Sequence, residues 1–528
     1  MIITQRRTYL NKICKKQGGK MKRLIILFLV AFLLLGIGMS VIASPKDTIV
    51  VGLKENVLSL DPANHRNRTS ETVIRNIFDG LVTRGPDMKI VPEIAESWEW
   101  LDDLTCEFKI RKGITFHNGE ALTAEDVAYT FNRIMKEGGM DGESSPRKGL
   151  LGPLESVEMT DDYTVVFKLS KPWTVLLKML PHQQIVPKDY LEEVGSEEFR
   201  KYPIGAGPFK FVEGKLNERI VLERFEDYYG GSPDLPPVGV APLKTVIFEI
   251  LPESSTRVAA LLGGGCDIIQ NVPTVDVPRI EKNTNSTVKY SKGTRAYYLE
   301  MNLTKPPFDN LKVRKAINHA FDRELLIEML YNGEGSVFAG PLFPYEGMFD
   351  TSLTPYKYNP ELAKALLVEA GYPEGFSLVL DTEIDFKEPA EIVAGMLSEV
   401  GIDCTVRLWE WGVLKPLLLK GERTLLLNTW GSSILDPVGY VDAKFLTDGR
   451  GNYSKYSNSE VDEAIIEGAI TVDPEKRKEI YKKMQKIIHD ECFYIGWSVN
   501  DLTGTSANLI NWEPIPDSRI NLHDASFK

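Results

Sequence analysis

The stretch 105–135 changes from a strand pattern to a helix pattern, and this change limits the fold more than any other feature of the sequence. Cys106, Phe108 and Ile110 alternate with charged residues, which predicts a half-buried strand. An Asn-Gly turn follows, and Thr123 with Asp126 three residues later is typical of a helix N-terminus. Strand patterns and capped helices continue along the 528 residues without an internal repeat, so the sequence predicts a mixed α/β protein of about three domains.

Other helix ends and one turn are also predicted from local chemistry. One helix begins at Asn359 and Pro360 and ends at Gly371, and another begins at Asp473 and Pro474. The Gly-rich run IGAGPFKF could bind an anion through its backbone N–H groups, but Pro208 removes one donor and apolar residues follow. A tight turn leading into a strand is therefore the prediction for this run.

Residues 1–43 predict the cellular compartment of the mature protein. Residues 1–20 are polar and basic, and they indicate a dispensable extension or a mis-assigned start before Met21. Residues 21–43 have the basic, apolar and small-residue order of a signal peptide, so the mature chain is predicted to begin near Ser44. An uncleaved membrane anchor is the alternative. No cysteine that could carry a lipid anchor follows the cleavage region. An exported protein without an anchor stays near its cell only if an outer membrane retains it, so the periplasm is favoured.

Charge and cysteine content exclude some functions. Residues 1–43 hold eight of the 62 Lys and Arg residues and none of the 74 Asp and Glu residues, so the remaining 485 residues carry a net charge of −20. An acidic surface of this kind argues against a nucleic-acid partner, which requires a basic patch. The mature chain has four scattered cysteines in apolar surroundings, which are predicted to be buried free thiols: Cys106, Cys266, Cys404 and Cys492.

The sequence contains no recognisable catalytic or metal-binding pattern. It lacks the zinc-protease, nucleophile-elbow, Walker A, dinucleotide-binding and C-x-x-C motifs. The six histidines are isolated along the chain, and each is interpreted as a structural or solvated residue. No catalytic residue, metal or cofactor is therefore predicted.

Six ordered motifs together carry a resemblance to a known family. They are LSLDPANHRNRTSETVIRNIFDGL, IAESWEWLDDLTCEFKIRKGITFHNGEALTAEDVAYTF, PIGAGPFKF, YLEMNLTKPPFDNLKVRKAINHAFDRE, YNPELAKALLVEAGYP and NYSKYSNSEVDEAI. With these motifs the chain, from about Thr48 to its C-terminus, resembles the extracellular solute-binding proteins of the peptide and nickel class, solute-binding family 5. That family includes the oligopeptide- and dipeptide-binding proteins of ABC importers.

The resemblance implies a two-lobed periplasmic-binding-protein clamp, or Venus-flytrap fold, with an extra α/β domain inserted in the first lobe. Lobe I would comprise residues 44–84, 202–299 and 498–528. The additional domain would span 85–201 and lobe II would span 300–497. The segments RAYYLEMN and CFYIGWSVN would be the hinge strands that absorb closure as small dihedral changes.

The resemblance also implies a site in which two backbone strips hold an extended ligand by strand-like pairing. One strip follows the SLDP motif and the other surrounds a tryptophan, and a second tryptophan walls the ligand chamber. The implied ligand-binding residues are Arg66, Asn67 and Arg68 in the first strip, Thr429, Trp430 and Gly431 in the second, and Trp411. Backbone pairing ignores side-chain identity, which explains the small residues beside Trp430.

One departure from the family pattern concerns the ligand. Peptide binders place an Asp three residues after that tryptophan to pair with the ligand's α-ammonium group, but Ser433 occupies this position here. Losing such a contact costs a peptide about 2–5 kcal/mol. Asp436 lies nearby and could replace it, although it precedes Pro437 in a segment that is more often structural. Arg66 and Arg68 would instead anchor an anionic ligand.

The implied function is the periplasmic substrate-binding component of an ABC importer of the peptide class. This monomeric protein would capture an oligopeptide or peptide-like small solute and deliver it to a membrane permease. An oligosaccharide stacked on Trp411 and Trp430, or an anionic non-peptide solute, is an alternative ligand. Two other classes are a secreted hydrolase, with Ser432 or Ser433 as nucleophile and Asp436 as partner, and a chaperone-like holder of extended peptides.

Overall fold

The structure is a computed structural model that describes residues 46–235, 238–343, 347–432 and 434–528. The predicted extension 1–20, the predicted signal peptide 21–43 and Ser433 lie outside the described residues. Across the described ranges, none of the helices combines the length and the apolar character needed to cross a membrane.

Strands and helices alternate along the described chain, as the sequence predicts. The strands are β1 Thr48–Leu53, β2 Val82–Arg84, β3 Ile90–Pro92, β4 Ala95–Asp102, β5 Thr105–Ile110, β6 Leu154–Asp161, β7 Thr164–Leu169, β8 Phe209–Lys215, β9 Arg219–Arg224, β10 Thr245–Ile250, β11 Ile268–Ile269, β12 Ser286–Met301, β13 Gly335–Val337, β14 Phe376–Glu383, β15 Ile402–Trp409, β16 Leu425–Gly431, β17 Tyr494–Ser506, β18 Leu509–Ile510 and β19 Ser526–Phe527. The helices are α1 Arg68–Ile77, α2 Ala124–Met135, α3 Leu176–Met179, α4 Lys188–Phe199, α5 Ser254–Leu262, α6 Val277–Glu281, α7 Leu311–Ala320, α8 Arg323–Tyr331, α9 Pro360–Glu369, α10 Lys387–Glu399, α11 Trp411–Leu419, α12 Val441–Phe445, α13 Ser459–Ile470 and α14 Pro474–Glu491.

One mixed sheet runs through most of the described chain. Its strand order is β15-β14-β16-β12-β17-β11-β1-β10-β9-β8, with β13 also paired to β17. At its centre β12 and β17 run antiparallel, from Ser286 opposite Ser506 to Glu300 opposite Tyr494, and their register shifts between Lys292 and Ala296. These long strands contain most of the two predicted hinge segments, residues 295–302 and 492–500.

Different hydrophobic cores cover the two halves of this sheet. One core packs Tyr298 and Leu299 of β12 against Phe321 and Trp497. The other core packs β1 and β10 with α1 at the opposite end of the strand order. Because only the central strands join the two cores within the sheet, the architecture is a two-lobed α/β clamp.

A separate four-stranded antiparallel sheet has the order β4-β5-β7-β6. Phe108 of β5 and Phe131 of α2 both pack on Phe167 of β7, with ring centroids 4.9 Å apart in each pair. The predicted helix start is confirmed, because the Asp126 carboxylate accepts the Thr123 N–H at 2.9 Å in a capping box. The predicted starts of α9 and α14 are confirmed too, since Asn359 and Asp473 cap their first turns.

The Gly-rich run forms the predicted turn into β8. A side chain at Gly205 would place its Cβ 2.1 Å from the Ile77 carbonyl oxygen, so only glycine fits this close approach. His117 holds the turn from the other side. Its Nδ1 accepts the Gly205 N–H at 3.2 Å, and its Nε2–H donates to the Gly207 carbonyl at 3.0 Å. This pair of bonds requires the neutral imidazole.

Replacing His117 with Gln should reduce the loss of stability in mild acid. Burial lowers the pKa of His117 to about 4, whereas the unfolded chain has a histidine pKa of about 6.5. The unfolded state therefore binds more protons between these values, and the stability that neutral His117 contributes is lost as pH falls through this window, at up to about 1.4 kcal/mol per pH unit. Urea unfolding at pH 7, 6 and 5 measures the difference. Equal losses in the wild type and the variant would contradict this assignment.

The four cysteines of the described chain are free, as predicted. Cys106, Cys266 and Cys492 are buried, while Cys404 is only half-buried because β15 lies at the edge of the large sheet. Burial raises the pKa of both Cys106 and Cys404 to about 12. At neutral pH these thiols are protonated and therefore poor nucleophiles.

Candidate functional site

A cavity of about 530 Å³ lies where the two halves of the structure meet at the central strands. Arg66, Asn67 and Arg68 line it from one side, and Thr429 lines it from the other. Residues of β12 and β17, including Arg295 and Asp501, also line it. The structure therefore brings four of the sequence-predicted site residues to a single cavity.

The strip at Arg66–Arg68 precedes and begins helix α1. Asn67 caps this helix, because its Oδ1 accepts the Ser70 N–H at 2.7 Å and its Nδ2 donates to Glu55 at 3.0 Å. Arg68 donates to Ser518 Oγ and Thr294 Oγ1, both at 3.2 Å. Arg66 is exposed and has no hydrogen-bond or ion-pair partner in the described part of the chain. Its guanidinium group is thus available to a ligand.

Several guanidinium groups lie close together around the cavity. Partial desolvation and then the neighbouring charge of Arg450 lower the pKa of Arg66, although its side chain remains exposed. Burial and then the charges of Arg519 and Arg295 lower the pKa of Arg68. Among the described residues that line the cavity, basic side chains outnumber acidic ones by five to two, so the site has a local excess of positive charge although the whole chain has a net charge of −12. Such a site favours an anionic group.

The strip at Thr429–Gly431 forms the end of β16. Thr429 pairs with Tyr297 and Gly431 pairs with Arg295 across β12. A Cβ at Gly431 would lie 2.6 Å from the Thr294 carbonyl oxygen, so close packing of the two strands requires glycine. This contact supplies a second reason for the small residues beside Trp430.

The other edge of β16 is open beyond its first residues. β14 pairs with β16 only at Leu425 and Leu426, and the later residues have no further strand partner on that edge among the described residues. The Thr429 N–H donates to the Asn428 Oδ1 at 2.7 Å. An open strand edge is the feature to which an extended peptide adds as a further strand.

Trp430 and Trp411 belong to one apolar cluster with Leu414, Leu426 and Tyr453. Both indoles are half-buried, and neither lines the cavity described above. The Trp430 ring has the Lys444 ammonium nitrogen 5.1 Å from its centroid and the Arg450 guanidinium carbon 5.3 Å from it. The predicted tryptophans therefore lie together beside the Arg450 charge rather than in the cavity wall.

Asp436 lies outside the cavity and is 1 % exposed. Arg477 donates to its two carboxylate oxygens at 2.8 and 2.5 Å, and Lys178 donates at 2.8 Å. Burial alone would raise the pKa of Asp436, but Arg477 and Lys178 outweigh it and hold the pKa below the ordinary value. The carboxylate is thus ionised and already occupied by protein donors, which leaves no capacity for a ligand ammonium group in this arrangement.

Sequence reasoning did not find Arg295, Arg450 or Arg519. Arg295 stands in the quoted hinge segment and Arg450 stands two residues before the NYSKYSNSEVDEAI motif, but nothing in their spacing relates them to Arg66. Only the fold brings these three arginines close to Arg66, so that guanidinium groups from four distant segments of the chain lie together.

In the described ranges, no group of three His, Cys, Asp or Glu residues is placed to hold a metal ion. Ser432, one of the alternative nucleophiles, is buried, and its hydroxyl donates to the Asp436 carbonyl at 3.2 Å. That bond gives Ser432 a role in the loop, and its hydroxyl bonds only to the Asp436 backbone, with no histidine base beside it in the described part of the chain.

The chain is similar to known proteins over most of its length. Residues 89–452 match the family described as bacterial extracellular solute-binding proteins, family 5 Middle. Heme-binding protein A of Haemophilus influenzae is 30 % identical over 484 residues, which cover 86 % of this chain and 87 % of that protein. The glutathione-binding protein GsiB of Escherichia coli is 28 % identical over 514 residues, which cover 94 % and 98 %.

A solved structure shows the same architecture with a ligand. The ABC transporter-associated periplasmic binding protein DppA from Helicobacter pylori, in complex with the peptide STSA, superposes with a TM-score of 0.76. Its sequence is 27 % identical to this one, and the match covers 92 % of this chain and 98 % of that chain.

Proposed function

The chain belongs to the bacterial extracellular solute-binding proteins of family 5, and we propose that it is the periplasmic substrate-binding component of an ABC importer of the peptide class. It captures a peptide or peptide-like solute between its lobes and delivers it to a membrane permease. The protein acts as a monomer and is not an enzyme. The described residues that line the cavity include no histidine that could serve as a catalytic base, which supports a binding role over a hydrolytic one.

One observation carries the proposal. The cavity is lined by Arg66, Asn67 and Arg68 from one side and by Thr429 from the other, with the two central strands between them. A solute in this position contacts both lobes only when they are closed, so binding favours the closed state. We propose lobe I as residues 44–84, 202–299 and 498–528, the additional domain as 85–201 and lobe II as 300–497.

The solute carries an anionic group that Arg66 and Arg68 bind. Heme, glutathione and a peptide such as STSA, which are the ligands named for the similar proteins, all bear carboxylates. The unpartnered Arg66 and the surrounding guanidinium groups support the same chemistry here. The extended part of the solute pairs with the open edge of β16 at Thr429–Gly431, beside Trp430 and Trp411.

Mass spectrometry of the solute released from purified protein by denaturation tests the function directly. Calorimetry on ligand-stripped protein with the tetrapeptide Ser-Thr-Ser-Ala, its N-acetylated form and a neutral oligosaccharide then assigns the class. We expect both peptide forms to bind, because Asp436 is occupied by Arg477 and Lys178 and N-acetylation removes no contact to it. Binding of the oligosaccharide alone would contradict the peptide assignment.

N-terminal processing is a separate prediction. The basic, apolar and small-residue order of residues 21–43 supports cleavage of a signal peptide, so protein exported by its native host should begin near Ser44 or Pro45. Edman sequencing or intact mass of the exported protein measures this. Recovery of residues 1–20 from the cell would show that the longer start is used.

A further inference from the structure

A second contact, formed by residues that do not line the cavity, joins the two halves of the clamp. Lys178 lies on α3, in the range proposed for the additional domain, and its ammonium group donates to Asp436 at 2.8 Å. Asp436 lies in the range proposed for lobe II and also accepts two bonds from Arg477 of α14. None of these three residues lines the cavity.

Apolar side chains from the same two regions pack beside this ion pair. Val175 and Met179 are buried against Ile434, and Trp173 and Val438 pack at the edge of the cluster. Thr174 Oγ1 donates to the Ala469 carbonyl at 3.4 Å. The contact therefore combines buried apolar area with one cross-lobe ion pair.

Each side of the contact is held by its own surroundings. The Arg84 guanidinium donates to the Lys178 carbonyl at 2.8 Å, which fixes α3 to the lobe I side. On the other side, Leu435 adopts a left-handed backbone conformation with φ of 51°. This turn directs the Leu435 carbonyl toward Lys178 Nζ, 3.4 Å away, and brings Asp436 beside it.

The contact can open without leaving a buried charge alone. Asp436 keeps Arg477 as its counter-charge within lobe II, and the Lys178 side chain, already 39 % exposed, returns to water. Removal of a partner from a buried pair is costly only when the other charge is left uncompensated. A contact with these properties suits a surface that forms and separates as the lobes move.

We propose that residues 173–179, residues 434–438 and Arg477 form a closing contact, which stabilises the closed clamp and raises its affinity for every solute by the same factor. This inference rests on the proposed function and the proposed lobes. The apparent affinity of a protein scales with the fraction that is competent to bind, so a contact that favours closure acts on affinity without touching the solute. Lys178 and Asp436 are positioning residues in this scheme.

The test compares Lys178→Met with Lys168→Met in ligand-stripped protein. Lys168 also belongs to the 85–201 range and bonds Glu158 at 2.7 Å, but both of these side chains are exposed and stay within the four-stranded sheet. We expect Lys178→Met to weaken binding of Ser-Thr-Ser-Ala and of its N-acetylated form by a similar factor, about three- to ten-fold, mainly through a faster off-rate. Lys168→Met should match the wild type, and the melting temperatures of the three stripped proteins should agree.

Small-angle X-ray scattering provides a readout that needs no ligand. In the Lys178→Met variant a larger fraction of the ligand-stripped protein should be open. Its radius of gyration should therefore exceed that of the Lys168→Met control. Identical scattering and unchanged affinities would overturn the closing contact, and so would a loss confined to one probe or a matching fall in melting temperature. If neither peptide binds and no solute is released from the purified protein, the proposed function fails while the scattering comparison still decides the closing contact.

Discussion

Replacing Lys444 with Met is expected to lower the free energy of unfolding by about 3–5 kcal/mol. The Lys444 ammonium group lies 2.7 Å from both carboxylate oxygens of Glu300, and both side chains are almost fully buried. Aromatic rings enclose the pair, with the Tyr453 centroid 4.5 Å from the ammonium nitrogen. The substitution leaves Glu300 buried without its counter-charge, and urea unfolding at pH 7 measures the loss.

The double variant Glu300→Gln with Lys444→Met separates this cause from lost packing. It removes both charges, so it should recover a large part of the stability that Lys444→Met alone loses. Burial raises the pKa of Glu300 even beside Lys444. In the single variant the folded state therefore holds a proton that the unfolded state releases, and the destabilisation should grow as pH rises. A surface control is Lys312→Met, which removes an exposed pair with Glu369. A double variant no more stable than the single variant would contradict the prediction.

Joint replacement of Arg66 and Arg68 with Gln should weaken binding of a peptide that they hold by its carboxylate by more than about a hundred-fold, because two charge-assisted hydrogen bonds of about 1.5–3 kcal/mol each are lost. Arg66→Gln alone should give much of this effect without changing stability, since Arg66 has no partner in the described chain. Calorimetry with Ser-Thr-Ser-Ala measures it, and added salt should weaken the wild-type interaction in the same direction.

Arg219→Gln is the matched control for this experiment. Arg219 is an exposed arginine that meets Glu249 at 3.7 Å on the large sheet, and it does not line the cavity. Its replacement should leave peptide affinity unchanged. If free peptide instead bound tightly to the double variant and lost affinity on N-acetylation, an acidic residue would be the main anchor, and Glu55 and Asp501 are the carboxylates that line the cavity.

Local chemistry was sufficient to predict many elements. The alternation at Cys106–Ile110, the cap at Thr123 and the turn before β8 depend on neighbours in sequence, and the structure shows all three. The gathering of Arg66–Arg68 and Thr429 at one cavity was expected only from the family resemblance. The partners of Asp436 could not be expected from sequence, because Lys178 and Arg477 approach it only through packing of distant elements. The grouping of Arg295, Arg450 and Arg519 around Arg66 also results from packing of distant elements, so it could not be expected from sequence.

The pairing of β12 with β17 has a consequence for unfolding. These two strands are hydrogen-bonded from Ser286–Ser506 to Glu300–Tyr494, and their ends pack into the cores of both lobes. If one lobe melted, the end of each central strand that packs in that lobe would lose its cover, and the strand pair that the other lobe shares would be weakened. The two lobes are therefore coupled through shared backbone, and they should lose their structure in one cooperative transition rather than lobe by lobe.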